Sequence, residues 1–107
     1  MTTKPLYVLK SAVESHRNAP DTFWIPSDED KAAIGVGSIV KMMFNIGDVD
    51  ENGVVTDGFV ERMWVEVTAI EGENLTGKLL NQPFSTDEVA LHDVVHFTVD
   101  HITDIAE

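Results

Sequence analysis

Residues 59–83 constrain the fold most, because they place two runs of strand-like sequence on either side of one short turn. In the first run, apolar residues at every second position define a core face: Met63, Val65, Val67 and Ala69. The intervening residues define the opposite face: Arg62, Trp64, Glu66, Thr68 and Ile70. Alternation with a period of two is typical of a strand that is buried on one side. This run therefore predicts the first arm of a β-hairpin.

The turn and the second arm follow directly. Gly72 and Asn74 tolerate positive φ, so residues 71–74 suit a tight turn. Residues 75–80 are expected to return as the partner strand, and Pro83 ends the pairing because it has no N–H to donate. Residues 72–78 also match most of a phosphate-binding loop, but Leu79 stands where that motif needs a Ser or Thr. The hairpin is therefore favoured over a nucleotide site.

Short helices are predicted ahead of the sheet. Residues 6–16 have the apolar spacing of an amphipathic helix. Residues 28–34 are expected to form a second helix, capped by Ser27 and ended by Gly35. Between the two helices, the extended apolar run Phe23, Trp24 and Ile25 is expected to seal one side of the core.

Further strands are predicted at residues 37–46 and 94–99, with an acidic loop at 47–58 and a helical turn at 85–88. Val65, Val67, Leu79, Val95 and Phe97 are expected to form one contact cluster, because each lies on the apolar face of its strand. Ile102 and Ile105 are expected to complete the core. The predicted fold class is α+β and mainly β, as a small, strongly bent antiparallel sheet or an SH3-like partly open barrel with one or two short N-terminal helices. Residues 1–107 are predicted to form a single domain, in which a helical N-terminal segment, residues 1–34, packs on the β segment, residues 35–107.

Charge is distributed unevenly along the chain. The formal net charge is −12, and residues 35–107 hold three basic and fourteen acidic residues, a net −11. Phosphate backbones would be repelled by such a field, which argues against nucleic-acid binding, whereas a basic protein surface would be attracted. The simpler alternative is that the acidic surface only maintains solubility.

Composition excludes several chemistries. The chain has no cysteine, so it has no disulfide, no thiolate nucleophile and no cysteine-based metal site. No apolar run reaches the length of a membrane span, and residues 1–16 lack the features of a signal peptide. We therefore expect a cytoplasmic protein with no membrane partner and no cofactor. The oligomeric state stays open.

A weak cation site is suggested by the acidic loop. Asp48, Asp50 and Asn52 occupy the first, third and fifth places of a calcium loop, followed by Gly53. The twelfth place is Phe59, where a bidentate Glu is needed, and the flanking residues are strand-like. A turn at Asn52 and Gly53 is the simpler interpretation.

Histidine and serine supply no convincing catalytic group. Two histidines on one strand, His92 and His96, would lie about 13 Å apart at about 3.3 Å per residue, too far to share a zinc ion. His16, His92, His96 and His101 are therefore predicted to be polar surface residues. None of the serines lies in a G-x-S-x-G nucleophile elbow. We expect no enzymatic activity.

Three segments carry a resemblance to a known group: residues 37–44 (GSIVKMMF), 61–67 (ERMWVEV) and 77–83 (GKLLNQP). Together with residues 93–97 and 101–104, they resemble the YegJ-like group of small bacterial domains of unknown function, over about residues 35–105. His92 departs from that pattern, because glycine is usual there. The resemblance implies a compact, strongly bent β domain with a short helical N-terminal segment, and no activity.

The leading functional hypothesis is a non-enzymatic acidic interaction module, of the immunity or regulatory kind, that binds a basic protein surface. The residues predicted to contact the partner are Glu51, Asp57, Glu61, Trp64, Glu66, Glu71 and Glu73. The alternative is a β domain that binds a small ligand or a divalent cation through residues 48–58. An enzyme built on unrecognised carboxylates is the third possibility.

Overall fold

The computed structural model describes residues 7–84, 86 and 89–106, with the backbone alone for Asp57. Its elements, in chain order, are β1 (Tyr7–Leu9), α1 (Ala12–Asn18), α2 (Asp28–Ala32), β2 (Ile39–Val49), β3 (Val55–Glu71), β4 (Asn74–Leu79), β5 (Val94–Phe97), a 3₁₀ helix (Val99–His101) and β6 (Ile102–Ile105). The strands form one strongly curled antiparallel sheet, a half-barrel. This confirms the prediction of a mainly β, strongly bent sheet with short helices.

The hairpin of β2 and β3 is the axis of the sheet. Strands β1 to β5 lie side by side in chain order, and β6 also pairs with β2. Since β3 occupies one edge of β2 along nearly its whole length, β1 and β6 must share the other edge. β1 pairs with residues 44–46 of β2 and β6 with residues 40–42.

Strand β3 has to bend. Its 17 residues would span about 55 Å if straight, whereas the longest extent of the molecule is 38 Å. The pairing register shifts between Ile46 and Asp48 on β2 and between Val67 and Ala69 on β3. Shifts of this kind mark bulges, which bend a strand and increase its twist.

Two glycines permit the first bend. A Cβ atom on Gly47 would lie 2.9 Å from the Cα atom of Gly58 across the hairpin, closer than any side chain tolerates. The backbones of β2 and β3 therefore approach each other closely at this pair, which only glycine allows.

The core lines the concave side of the half-barrel. It consists of buried apolar side chains from strands β2 to β6 and from the loop before β5: Val40, Met42, Phe44, Ile46, Met63, Val65, Val67, Leu75, Leu79, Val89, Val95, Phe97 and Ile102. The predicted contact cluster of Val65, Val67, Leu79, Val95 and Phe97 is confirmed. Gly77 belongs to this face too, and a Cβ there would come within 3.1 Å of the Phe97 ring. The missing side chain thus makes room for the ring and for the Cγ1 atom of Val65, which a Cβ would approach more closely still.

The predicted core face of β3 is confirmed at Met63, Val65 and Val67 but wrong at Ala69, which is exposed. The reason is the bulge between Val67 and Ala69, which adds a residue and breaks the alternation. The tight turn at residues 71–74 is confirmed: Glu71 pairs with Asn74, and Gly72 has φ +62°. A positive φ at the first central position is the geometry of a type II′ hairpin turn.

The N-terminal helix was predicted at residues 6–16, but residues 7–9 form β1 and the helix spans Ala12–Asn18. Ser11 sets this start, because its Oγ accepts a hydrogen bond from the N–H of Glu14 at 3.1 Å. The second helix ends at Ala32, and Gly35 is not its left-handed stop; the positive φ of +96° lies at Gly37.

The prediction of an acidic loop over residues 47–58 is wrong, because most of these residues belong to strands. β2 continues to Val49 and β3 begins at Val55, so only residues 50–54 form the turn, with Gly53 at φ +78°. The pairing of β2 with β3 was not evident from sequence in this region because its residues are mostly polar. The register shift after Ile46 also interrupts the alternation of inward and outward residues. The last predicted strand, residues 94–99, ends at Phe97, and Val99 instead opens the 3₁₀ helix.

Trp24 does not seal the core as predicted, since it is 78% exposed. Phe23 and Ile25 are half-buried on the convex side of the sheet, beside Arg62 and Ile105. The helical turn predicted at residues 85–88 lies outside the described residues except for Thr86.

Phe97→Ala is expected to lower the free energy of unfolding by about 3–5 kcal/mol, because it empties a ring-sized volume in the core. Phe84→Ala is the matched control: Phe84 is fully exposed, at 100%, so its truncation should change stability by less than about 0.5 kcal/mol. Urea titrations of both variants measure the difference, and equal losses would contradict the assignment of strand faces.

His92→Gly is expected to stabilise the protein by up to about 1 kcal/mol, since relief of left-handed strain exceeds the entropy gained by the unfolded chain. His92 has φ +77°, in the left-handed region that favours glycine. His96→Gly, in extended β5, should instead destabilise by about 0.5–1 kcal/mol. Thermal unfolding of both variants gives the sign of each change in stability. A loss of stability in both variants would contradict the inference that His92 is strained.

Candidate functional site

Three segments meet at one end of the half-barrel and enclose a concave surface. They are the tight turn between β3 and β4, the 3₁₀ helix after β5, and the C-terminal end of α2. The volume enclosed is about 420 Å³, within the range of ligand-binding clefts. Its apolar walls are formed by Ala32, Ile34, Ile70, Leu75 and Val99, and its charged groups are Lys31, Glu73 and Asp100. We call it the acid-rimmed groove.

The groove exposes apolar surface beside carboxylates. Ile70 is 43% exposed, and Glu73 and Asp100 are exposed as well. Glu73 is the second central residue of the type II′ turn. This turn reverses the chain next to Ile70 and so places Glu73 beside it. Lys31 is half-buried at the end of α2. An apolar floor with a predominantly acidic edge fits a ligand that is apolar and positively charged.

His101 holds the 3₁₀ helix that carries Asp100. The Nδ1 atom of His101 accepts a hydrogen bond from the N–H of Thr98 at 3.1 Å. Burial lowers the pKa of His101, and the neighbouring charge of Asp100 opposes that shift. A lowered pKa favours the neutral imidazole that this hydrogen bond requires. His101 is thus half-buried, unlike the surface position predicted for it.

The residues predicted to bind a partner are dispersed. Glu73 lines the groove, and Glu71 lies on the same turn. Glu51 is in the turn between β2 and β3, beyond the opposite end of β3. The side chain of Asp57 lies outside the described structure. The structure therefore places Glu73 at the groove and Glu71 on the adjoining turn, while Glu51 stands apart from them.

The remaining three predicted residues have local partners. Glu66 forms an ion pair with Lys78 at 3.8 Å on the convex face. Glu61 accepts a hydrogen bond from the N–H of Phe84 at 2.8 Å. Trp64 lies on the convex face with the Nζ atom of Lys41 4.7 Å from its ring centroid. Their role in protein binding stays a prediction.

Asp50 closes the turn at residues 50–54 with its own carboxylate. Its Oδ1 atom accepts hydrogen bonds from the N–H groups of Asn52 at 2.8 Å and Val54 at 2.9 Å. Asp48 is exposed on β2, outside that turn. The predicted turn at Asn52 and Gly53 is confirmed. Among the residues that the structure describes, no group of three or more His, Asp or Glu side chains could hold a metal ion.

The other histidines make local contacts. The Nδ1 atom of His16 is 2.7 Å from the carbonyl oxygen of Phe23, and that of His96 is 3.3 Å from the Thr76 hydroxyl. His92 and His96 are exposed, as predicted.

Sequence reasoning missed Ile34, Val99 and Asp100 as groove residues. They are distant from the hairpin in sequence, and only the fold brings them to its turn. One local signal was present: Thr98 and Asp100 follow a strand as a capping residue and a first-turn acid, a pattern typical of a helix start.

Comparison with known proteins gives one match. A family model described as "Uncharacterized protein conserved in bacteria (DUF2314)" matches residues 7–106. No curated protein and no solved structure matches the chain. Over the described ranges, no helix is long and apolar enough to cross a membrane.

Calorimetric titration with calcium is expected to give no saturable binding below about 1 mM, because the Asp50 carboxylate is engaged by two backbone N–H groups. A micromolar isotherm that Asp50→Ala abolishes would contradict this. The same variant should lower the free energy of unfolding by about 0.5–2 kcal/mol, as the loss of a side-chain cap does, whereas Asp48→Ala should have little effect.

Proposed function

The chain belongs to this bacterial protein family, and we propose that it is a non-enzymatic interaction module whose acid-rimmed groove binds a basic, partly apolar segment of a partner protein. The observation that carries the proposal is the groove itself, where exposed Ile70 lies beside Glu73 and Asp100. An immunity or regulatory protein that occupies a basic surface is the kind of role this suits.

Electrostatics supports a basic partner. Residues 35–107 carry a net −11, and a field of that sign accelerates the encounter with a positive surface. The same field disfavours a nucleic-acid partner. At the groove, the carboxylates of Glu73 and Asp100 would act at short range on a cation that reaches the apolar floor, and Glu71 lies on the adjoining turn.

Binding is preferred to catalysis on the chemistry of the lining. Among the described residues that form the groove, none is a histidine, and the one hydroxyl is that of Thr98. A nucleophile held by a general base is therefore not suggested there. The alternative of a cation or ligand site at residues 48–58 has less support, because the Asp50 carboxylate already closes the turn.

The proposed compartment is the cytoplasm. The support is compositional, since a chain without cysteine fits a reducing environment.

The test uses a fluorescein-labelled peptide with two leucines and four lysines separated by serines, and a second peptide with glutamate for lysine. We expect the lysine peptide to bind, with an association rate that falls steeply between about 0.01 M and 0.15 M salt as the Debye length shortens from about 30 Å to about 8 Å. The Glu71→Lys/Glu73→Lys variant should lose about tenfold or more of that rate at low salt.

Asp48→Lys/Glu51→Lys is the matched control, because it changes the net charge equally at the other end of β3. Its association rate should fall much less. Ile70→Ser should raise the dissociation rate while leaving the association rate nearly unchanged. The proposal fails if both double variants slow association equally, or if the glutamate peptide binds as well as the lysine peptide.

A further inference from the structure

A second surface cleft lies on the outer, convex face of the sheet, away from the acid-rimmed groove. It encloses about 440 Å³ between residues 22–26, β2, β3 and β6. Its charged lining consists of Lys41, Arg62, Asp30 and Asp104, and its ring-bearing lining of Phe23, Trp24 and Pro26. We call it the convex cleft.

Strand register places the two cations side by side. Lys41 is directly opposite Trp64, and Arg62 is two residues before Trp64 on the same face. Diagonal neighbours of this kind lie roughly 7–8 Å apart. Residues 35–107 contain three basic residues in all, so two of the three face one cleft.

Aromatic rings hold both cations. Lys41 Nζ lies 4.7 Å from the ring centroid of Trp64, and Arg62 Cζ lies 5.6 Å from that of Phe23. Phe23 is fixed in turn by its backbone, whose carbonyl oxygen contacts His16 and whose N–H bonds Ala19. Within the described structure, neither cation is in an ion pair with a carboxylate, so their N–H donors remain available to a ligand.

The two carboxylates of the convex cleft come from β6 and α2. Asp104 is paired with Lys41 in register, but its Oδ1 atom accepts a hydrogen bond from the N–H of Ile105 at 2.9 Å. A register shift sets β6 here, and the Thr103 hydroxyl donates to the carbonyl oxygen of Lys41 at 3.1 Å. Asp30 projects from α2, where its N–H bonds the Ser27 hydroxyl. Opposite charges thus line one cleft without neutralising each other.

We propose that the convex cleft binds a small aromatic zwitterion, with the chemistry of an aromatic α-amino acid. The carboxylate of such a ligand would meet Lys41 and Arg62, its ammonium would meet Asp104 and Asp30, and its ring would lie against Trp24. Trp24 is 78% exposed, so a stacked ring would remove a large apolar surface from water.

Charge complementarity selects the zwitterion over simpler ligands. The cleft lining is neutral overall, with two cations and two carboxylates, inside a domain whose charge is strongly negative. A plain anion would satisfy the cations and be opposed by the carboxylates and the surrounding field. A plain cation would leave Lys41 and Arg62 unmatched. Only a ligand with both charges uses all four side chains.

The test is titration of the protein with phenylalanine, followed by tryptophan fluorescence. The chain has two tryptophans: Trp24 lines this cleft and Trp64 contacts the cleft residue Lys41. Occupancy should therefore change the emission, and calorimetry provides a second readout. We expect saturable binding, with phenethylamine and 3-phenylpropionate weaker by about tenfold or more, since each lacks one charge-assisted set of hydrogen bonds.

Matched variants locate the site. Arg62→Gln and Lys41→Gln should each weaken phenylalanine binding by about tenfold, whereas Lys78→Gln, on the same face but paired with Glu66, should not. Asp104→Asn should weaken it, and Asp100→Asn at the acid-rimmed groove should not. The proposal is overturned if phenylalanine gives no saturable change up to about 10 mM, if 3-phenylpropionate binds as tightly, or if Lys78→Gln weakens binding as much as Arg62→Gln.

Discussion

The bend of the hairpin formed by β2 and β3 is the constraint on which the rest of the structure depends. A strand of 17 residues fits a molecule 38 Å long only when it curls, and the contact of Gly47 with Gly58 permits that curl at one end. The concave side then encloses the apolar core. In the part of the chain that the structure describes, the side chains on the convex side are not covered by a second layer of strands. Both proposed sites follow from this division, one at an end of the half-barrel and one on its back.

Scarcity of positive charge shapes the convex face. The ion pair of Lys78 with Glu66 is exposed and contributes little to stability, typically below about 1 kcal/mol. Lys41 and Arg62 contact rings instead, and a cation over an aromatic face keeps much of its capacity to donate hydrogen bonds. The chain has seven basic residues, and two of them line one cleft beside Trp24, which is why their clustering there carries information.

Local patterns predicted what is local. The hairpin turn at Gly72 and the core residues Val65, Val67 and Phe97 followed from alternation and turn chemistry within short windows. Strand β1 did not, because three residues carry too little periodicity and their partners lie far along the chain. The sequence did not predict the strand extensions around Gly47 or the exposure of Ala69, because bulges at these positions reverse which residues point inward and outward. The groove residue Asp100 depends on a long-range approach that no local pattern encodes, and Arg62 was seen only as a solvent-facing residue of β3.

The shared edge of β2 has a consequence for the order of folding. β1 ends opposite Phe44 and β6 begins opposite Met42, so the two strands run head to tail and together complete one interrupted strand. Its halves come from residues 7–9 and 102–105, and joining them closes a loop of most of the chain. Loop-closure entropy delays such a contact relative to the adjacent hairpins. The two hairpins of β2, β3 and β4 are therefore poised to form first, and the interrupted strand to close the sheet last.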